Sequence, residues 1–225
     1  MVMAQLAADL RDEGDELHAL LSTLSDADWQ RPTPFKDWTP DYVMQHLFMG
    51  DWMNTLSLTD PARFDAVMAI RQADRAKGLK TMGLEHFDDG EAGQGTVLLA
   101  HWHQRLHALC DIFAAADPKA RMKWVGPDMS VRSAATARLM ETWAHGQDIY
   151  DLLRQTRPAH DRIRNIAALG VNTYGWSFQN SGLETPQPIP HVRLTAPSGD
   201  VWTWNEPDEN NLVEGPAVDF CHVVT

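Results

Sequence analysis

Glu141 and His145 lie four residues apart in the segment METWAHGQDIYDLL, which reads as part of a helix. Residues at this spacing project from one helical face, so a carboxylate and an imidazole stand side by side. His46, in the segment DWTPDYVMQHL, supplies a second imidazole from another predicted helix. Bundles build metal centres from side chains on facing helices, so the sequence predicts that these three residues bind a divalent metal ion.

Two imidazoles and one carboxylate suit Zn²⁺ or another divalent first-row ion, and three protein ligands leave positions open for water or a substrate. Asp148 follows His145 by one turn and is predicted to accept a hydrogen bond that orients its imidazole. A solvated surface pair is the alternative interpretation. Leu139, Trp143 and Ile149 crowd the same helix, however, and an unpaired glutamate among them would be costly to bury.

A second group of potential ligands lies in the segment AHWHQRLHALC. His103 and His107 are again four residues apart, Cys110 follows one turn later and His101 is close by. These side chains can equally form a hydrated polar face of the helix, and we favour that interpretation. Neither Cys110 nor Cys221 has a sequence context that would activate a thiol, so both are interpreted as structural.

Helical periodicity and helix start signals position the candidate ligands. Thr39-Pro40-Asp41 predicts a helix that begins with a threonine cap and carries His46 about two turns from its start. Apolar residues at helical spacing predict further helices over 6–24, 64–75 and 96–116, and from Ser130 or Ser133 to Leu153. The glycine-rich acidic stretch HFDDGEAGQG is predicted to be an exposed loop.

The polar stretch 154–161, which contains Pro158, predicts a domain boundary, with a helical domain over 1–157 and a smaller α+β domain over 158–225. A helix is expected over 162–179. HVRLTA and VWTWN alternate apolar and polar side chains across PSGD, which predicts a β-hairpin. The chain stops at Thr225 directly after the apolar run FCHVVT, a pattern compatible with an incomplete final element.

Composition restricts the partners that the protein can have. Thirty-one acidic and nineteen basic side chains give a net charge of −12, which disfavours nucleic acid and anionic membrane surfaces as partners. The N-terminal segment lacks the pattern of a secretory signal, and no stretch reaches the roughly 18 apolar residues of a membrane span. We therefore predict a cytoplasmic protein with a small-molecule substrate. Trp38, Trp143 and Trp176 are interpreted as core residues.

The two segments that carry the candidate ligands resemble a known family. DWTPDYVMQHL and METWAHGQDIYDLL are similar to the Gly-Trp-Thr-Val…His-Leu segment and the Glu-x-x-x-His-x-x-Asp helix of the mycothiol-dependent maleylpyruvate isomerase branch of the DinB-like metal-binding superfamily. The resemblance covers about the first 155 residues. The segment SVRSAATARLMETWAHGQDI is especially similar to an uncharacterised bacterial subgroup known only as metal-binding.

This resemblance implies a mainly α protein, with a DinB-like four-helix bundle followed by a smaller α+β domain. It also implies a divalent ion, zinc or alternatively nickel, held by His46, Glu141 and His145. Two features depart from the family. Asp37 stands where the family has glycine before the tryptophan, and the C-terminal part resembles the second domain of the isomerase only loosely, in EGPAVDF.

Three functions are compatible with these residues. The first is a metal-dependent enzyme, an isomerase or S-transferase in which a metal-bound water or low-molecular-weight thiol attacks a small electrophile, since coordination lowers the pKa of a bound group. The second is a non-catalytic protein that binds a small ligand through the metal. The third is a helical protein without metal. The residue types do not identify the ion, the thiol, the electrophile or the oligomeric state.

Overall fold

The computed structural model describes residues 2–78 and 92–225 of the chain. Their contacts group into two compact units, Met1–Thr156 and Arg157–Thr225. The first unit contains the helices α1 (Val2–Leu21), α2 (Pro40–Thr59), α3 (Pro61–Ala76), α4 (Gly95–Ala115) and α5 (Val131–Leu153). A two-residue antiparallel ladder of β1 (Arg121–Met122) and β2 (Met129–Ser130) joins α4 to α5.

Four long helices of the first unit form a bundle. α1 packs against α4 and α5, and α2 packs against the same two helices, so the order around the bundle is α1, α4, α2, α5. α3 packs against the outside of α2, where Phe64 and Val67 meet Trp52 and Leu56. The mainly α fold predicted from the sequence, with a C-terminal α+β part, is confirmed.

The predicted cap at Thr39 begins α2. The Thr39 hydroxyl oxygen accepts a hydrogen bond from the Tyr42 backbone N–H at 3.2 Å, and Pro40 occupies the first turn. Of the two serines predicted as caps for α5, the structure uses Ser130, whose hydroxyl oxygen accepts from the Ser133 N–H at 3.1 Å. Both ligand-bearing helices therefore start at defined residues.

The bundle interior is mainly apolar and contains one buried ion pair of arginine and aspartate, with Glu13, Asn54 and Thr142 among its other buried polar residues. Large side chains from every helix of the bundle are completely buried, among them Leu10, Leu17, Phe48, Leu98, Trp102, Leu106, Phe113 and Leu139. Burial of each such side chain contributes about 1.5–3 kcal/mol to the free energy of folding. The bundle core therefore supplies the rigidity on which a site between helices depends.

The ion pair joins Arg138 of α5 to Asp51 of α2 in the middle of the bundle. The guanidinium Nε donates to Asp51 Oδ1 at 2.8 Å, and the two side chains are 3% and 0% exposed. Arg138 Nη2 also donates to the Leu47 carbonyl at 3.2 Å, and the Trp102 indole donates to Asp51 Oδ2 at 2.9 Å. Gly50 makes room for the guanidinium, because a Cβ there would overlap it.

The second unit begins with a short 3-10 turn, Asp161–Ile163, and continues with α6 (Arg164–Asn172) and α7 (Tyr174–Asn180). Its sheet contains β3 (His191–Thr195), β4 (Val201–Trp204) and β5 (Leu212–Pro216) in the order β4-β3-β5, and α8 (Ala217–Val224) follows. The predicted hairpin is confirmed: β3 and β4 pair antiparallel, and Gly199 in the turn has φ of +93°.

The structure departs from the sequence predictions at two places in this unit. The helix expected over 162–179 is divided at Thr173 into α6 and α7, and the Thr173 hydroxyl donates to the Leu169 carbonyl at 2.9 Å. The strand β5, which pairs parallel to β3, was not predicted. Its sequence LVEGP combines glutamate, glycine and proline, three residue types that are depleted in strands.

Of the predicted loop over 86–95, residues 86–91 lie outside the described part of the chain. Ala92 is buried, and α4 already begins at Gly95. In the ranges 2–78 and 92–225 no helix combines the length and the apolar character needed to cross a membrane.

Replacing Arg138 by methionine should lower the free energy of unfolding by about 3–5 kcal/mol, because the carboxyl of Asp51 would remain buried without its partner. Burial raises the pKa of Asp51, an effect that Arg138 and Trp102 oppose. The loss should therefore be smaller at pH 5 than at pH 7, where the orphaned carboxyl is more costly to keep protonated. Urea unfolding at both pH values measures this.

The matched control is Arg193→Met in the second unit, where the guanidinium pairs with Glu209 and Glu214 at the surface. Exposed ion pairs contribute little to the free energy of unfolding, because water screens the charges, so this variant should unfold close to the parent. Equal losses in the two variants would contradict the role assigned to the buried pair.

Candidate metal centre

The structure brings the three predicted ligands together at the interface of α2 and α5. His46 Nε2 lies 2.9 Å from Glu141 Oε2, and His145 Nε2 lies 3.6 Å from the same oxygen. The ligand atoms of all three residues lie within 4.8 Å of one another. The two histidines and the glutamate thus point their donor atoms at one small volume.

Two features of the neighbouring sequence set this geometry. Arg138 precedes Glu141 by one turn on α5, and Leu47 directly follows His46 on α2. The hydrogen bond from Arg138 Nη2 to the Leu47 carbonyl therefore joins the two helices next to the ligands. This contact sets the position of His46 along the bundle axis relative to Glu141.

Asp148 contacts His145 as the sequence predicts. Its Oδ2 lies 3.1 Å from His145 Nδ1, one turn further along α5. A proton on Nδ1 that is donated to this carboxylate leaves the Nε2 lone pair directed at Glu141 and His46. Carboxylates in this position orient metal-binding imidazoles and raise their basicity.

In this cluster, the pKa values of Glu141 and His145 are set by the groups that contact them. Burial raises the pKa of Glu141, but hydrogen bonds from His145 and His46 outweigh it and hold that pKa well below its usual range. Burial lowers the pKa of His145, but hydrogen bonds to Asp148 and Glu141 outweigh it and raise that pKa. In the absence of a cation, a proton on His145 is therefore stabilised by the carboxylates around it.

The donor set fits a divalent ion. Two imidazole nitrogens and one carboxylate oxygen are ligands that Zn²⁺ and Ni²⁺ accept, and a cation would compensate the same carboxylate charge that now holds the proton. His145 is only 10% exposed, whereas His46 and Glu141 are 30% and 34% exposed. The cluster is thus closed on the side of His145 and open to solvent on the other.

Aromatic rings cover the closed side. The Trp38 indole stacks on the His145 ring at 5.3 Å with an angle of 16° between the planes, and it lies 5.3 Å from the His46 ring. Phe35 meets the edge of His145 at 5.4 Å. The interpretation of Trp38 as a core residue was wrong, because the half-buried indole packs on the two imidazoles instead. Its position just before the Thr39 cap was the available signal.

The other tryptophans interpreted as core residues differ from each other. Trp143 is 3% exposed and belongs to the bundle core, in agreement with the prediction. Trp176 is 58% exposed, so the core interpretation is wrong for it. The apolar residues around Trp176 in the sequence form the short helix α7, which has no buried residue.

Trp38 is presented by a tight turn with unusual backbone conformations. Lys36 and Asp37 have φ of +52° and +56°, in the left-handed region. The Thr33 N–H donates to the Trp38 carbonyl at 2.8 Å, and the Trp38 N–H donates to the Phe35 carbonyl at 2.9 Å. Asp37 is the position where the resembling family has glycine, and its φ explains that glycine, since glycine enters this region without strain.

The residues of the second group on α4, which we interpreted as a hydrated polar face, lie in different surroundings in the structure. Cys110 is completely buried, and burial raises the pKa of its thiol to about 12. His101 Nδ1 lies 3.3 Å from the Ala92 carbonyl, away from the other histidines. His103 and His107 instead contact a residue of α1, described below.

The second cysteine is also inert. Cys221 is buried in α8, and burial raises the pKa of its thiol to about 12. Both thiols are free, and neither lies where it would ionise near neutral pH.

Comparison with known families identifies the fold family. The model of the mycothiol maleylpyruvate isomerase N-terminal domain matches residues 10–150 of this chain, a range that contains all three candidate ligands. The chain belongs to this family. The resemblance to the isomerase branch is thereby confirmed.

Relatives of the chain are known in Mycobacterium tuberculosis. An uncharacterised protein of strain H37Rv is 39% identical over 218 residues, which cover 97% of this chain and 83% of that protein. Its counterpart in strain CDC 1551 has the same identity and the same coverage.

A solved structure shares the fold of this family member. The crystal structure of a variant of the mycothiol-dependent maleylpyruvate isomerase matches with a TM-score of 0.57 and 12% identity, over 97% of this chain and 87% of that chain. At this identity the match establishes the common fold.

Replacing Asp37 by valine should destabilise the protein by about 1–2 kcal/mol relative to glycine at the same position, because β-branched residues are strained at positive φ. Asp37→Gly should unfold at the same denaturant concentration as the parent, or a higher one. Thermal or urea unfolding of the two variants measures this difference, and equal stabilities would contradict the turn geometry.

Proposed function

We propose that this protein is a divalent-metal-dependent enzyme of thiol chemistry, an isomerase or S-transferase that acts on a small electrophile. The observation that carries the proposal is the convergence of His46 Nε2, His145 Nε2 and Glu141 Oε2 within 4.8 Å of one another on one open side of the bundle. Family membership supports the reaction class, and the name of the family makes mycothiol the first thiol to test.

His46, Glu141 and His145 would hold the ion, with zinc the preferred candidate and nickel the alternative. When bound, such an ion lowers the pKa of a coordinated thiol or water, so that a nucleophile is available near neutral pH. Asp148 keeps the proton of His145 on Nδ1 and thereby keeps Nε2 free as a ligand. Trp38 and Phe35 shield the imidazole of His145 from water.

The open side of the cluster determines what can approach. His46 and Glu141 retain about a third of their side-chain surface, so a small molecule can approach the cluster from their side. Trp38 lies on the closed side, where its indole stacks on His145. A small electrophile that approaches beside His46 and Glu141 fits this arrangement.

The test is the metal content and turnover of protein purified without a histidine tag. His46→Ala removes one of three ligands, so the zinc bound per chain should fall by one equivalent and any thiol-dependent turnover should be lost. Asp148→Asn keeps all three ligands but loses the carboxylate on His145, so metal affinity should fall about 10–100-fold. Calorimetric titration with Zn²⁺ and assays with mycothiol or glutathione and a panel of electrophiles measure both quantities.

His222→Ala, an exposed histidine of α8, is the control and should leave metal content and turnover unchanged. Unaltered metal binding in His46→Ala would contradict the centre. Stoichiometric binding of metal and thiol without product for any electrophile would contradict catalysis and indicate a metal-dependent binding protein.

Metal affinity should fall with decreasing pH, by about tenfold for each unit below the raised pKa of His145, because the ion must displace its proton. Because the pKa of His145 is raised, the protonated imidazole stabilises the metal-free protein at low pH, and this stabilisation is lost as pH rises. The increase in Tm on addition of Zn²⁺ should therefore grow from pH 6 to pH 8. A pH-independent increase would contradict the assignment of His145.

A further inference from the structure

A second cluster of potential ligands lies between α1 and α4, on helices that carry none of the residues of the first cluster. His103 Nε2 and His107 Nε2 lie 2.6 and 2.7 Å from one oxygen, Asp15 Oδ1. The His18 ring stacks on the His103 ring at a centroid distance of 4.1 Å. The ligand atoms of Asp15, His103 and His107 lie within 4.8 Å of one another.

A close approach of the two helices creates this cluster. Gly14 immediately precedes Asp15, and a Cβ at Gly14 would overlap the Leu106 side chain of α4. α1 can therefore pack against α4 near Leu106, which immediately precedes His107. This contact brings Asp15 within reach of two histidines that are four residues apart and share one helical face.

The donor atoms repeat the pattern of the first cluster. In each cluster two imidazole Nε2 atoms are directed at a single carboxylate oxygen, with one ligand helix carrying two donors at a four-residue spacing. We propose that Asp15, His103 and His107 form a second binding site for a late first-row divalent cation, independent of the first. The side chains of His103 and His107 are 29% and 31% exposed, so an ion can enter from solvent.

Arg11 opposes binding of an ion at this site. Its Nη1 lies 3.2 Å from His107 Nδ1, and its Nη2 pairs with Asp111 at 2.6 Å. A guanidinium that donates to Nδ1 requires the His107 proton to be on Nε2, whereas a metal on Nε2 requires that proton to be on Nδ1. The guanidinium must therefore leave Nδ1 when a cation binds, and Asp111 remains as its partner.

The Asp15 carboxylate holds the cation-free cluster together. Its Oδ1 lies within hydrogen-bond distance of both imidazoles, at 2.6 and 2.7 Å. The same oxygen is available to a cation that replaces the two hydrogen bonds. A bound cation would cross-link α1 to α4 beside the existing ion pair of Arg11 with Asp111.

The experiment separates the two sites by using the untagged variant His46→Ala/His145→Ala, in which the first cluster has lost both imidazoles. Titration with Zn²⁺ or Co²⁺ should show one remaining equivalent. Adding His103→Ala and His107→Ala should weaken that equivalent by at least about 100-fold, since two of three ligands are lost. Arg11→Ala in the same background should tighten it by about tenfold, because the competing donor and its charge are removed.

His101→Ala is the matched control, since this histidine of the same helix contacts the Ala92 carbonyl and should not affect binding. The proposal is overturned if the remaining equivalent is absent, or if it persists in the variant without His103 and His107. Should the background variant fail to fold, the full-length parent and its His103→Asn/His107→Gln variant decide the question. Bound Co²⁺ should then fall by one equivalent per chain, and an unchanged value would refute the site.

Discussion

The buried pair of Arg138 and Asp51 is the interaction on which the positions of the candidate ligands depend. It joins α5 to α2, and Trp102 brings α4 to the same carboxylate, so three helices of the bundle meet at one point. Removing two charges from water is costly, and the cost is offset only when the remaining donors and acceptors are satisfied. Here the guanidinium of Arg138 also donates a hydrogen bond to the Leu47 carbonyl, so the pairing sets the register of α5 against α2 beside His46.

The candidate ligands of the first cluster were predictable in part, because the pairing of Glu141 with His145 is local, whereas His46 lies 95 residues from Glu141. The four-residue spacing on one helix suggests Glu141 and His145, and the cap-defined start of α2 places His46 on a second helix. Asp148 follows His145 by three residues, a spacing that places both side chains on one helical face. Arg138 and Asp51 are 87 residues apart, and neither has a sequence context that identifies its partner. Tertiary pairs of this kind are visible only after the helices are packed.

The same distinction between local spacing and tertiary pairing explains why the second cluster was not predicted with its full set of residues. In the sequence, His103 and His107 group with Cys110, because the three residues follow one another on one helix. The structure buries the cysteine in the core and supplies Asp15 from α1 instead, because Gly14 has no side chain and lets α1 approach α4 closely. In the second unit, the strand β5 was missed for a related reason: its pairing with β3 comes from distant chain segments, and its own residues disfavour a strand.

The order α1, α4, α2, α5 around the bundle has an evolutionary consequence. One cluster uses α2 and α5 and the other uses α1 and α4, so no helix contributes to both. Substitutions that retune one cluster leave the other intact, provided that the shared apolar core is kept. Descendants of such a bundle can therefore lose, gain or exchange the chemistry of one face under selection while the opposite face is inherited unchanged.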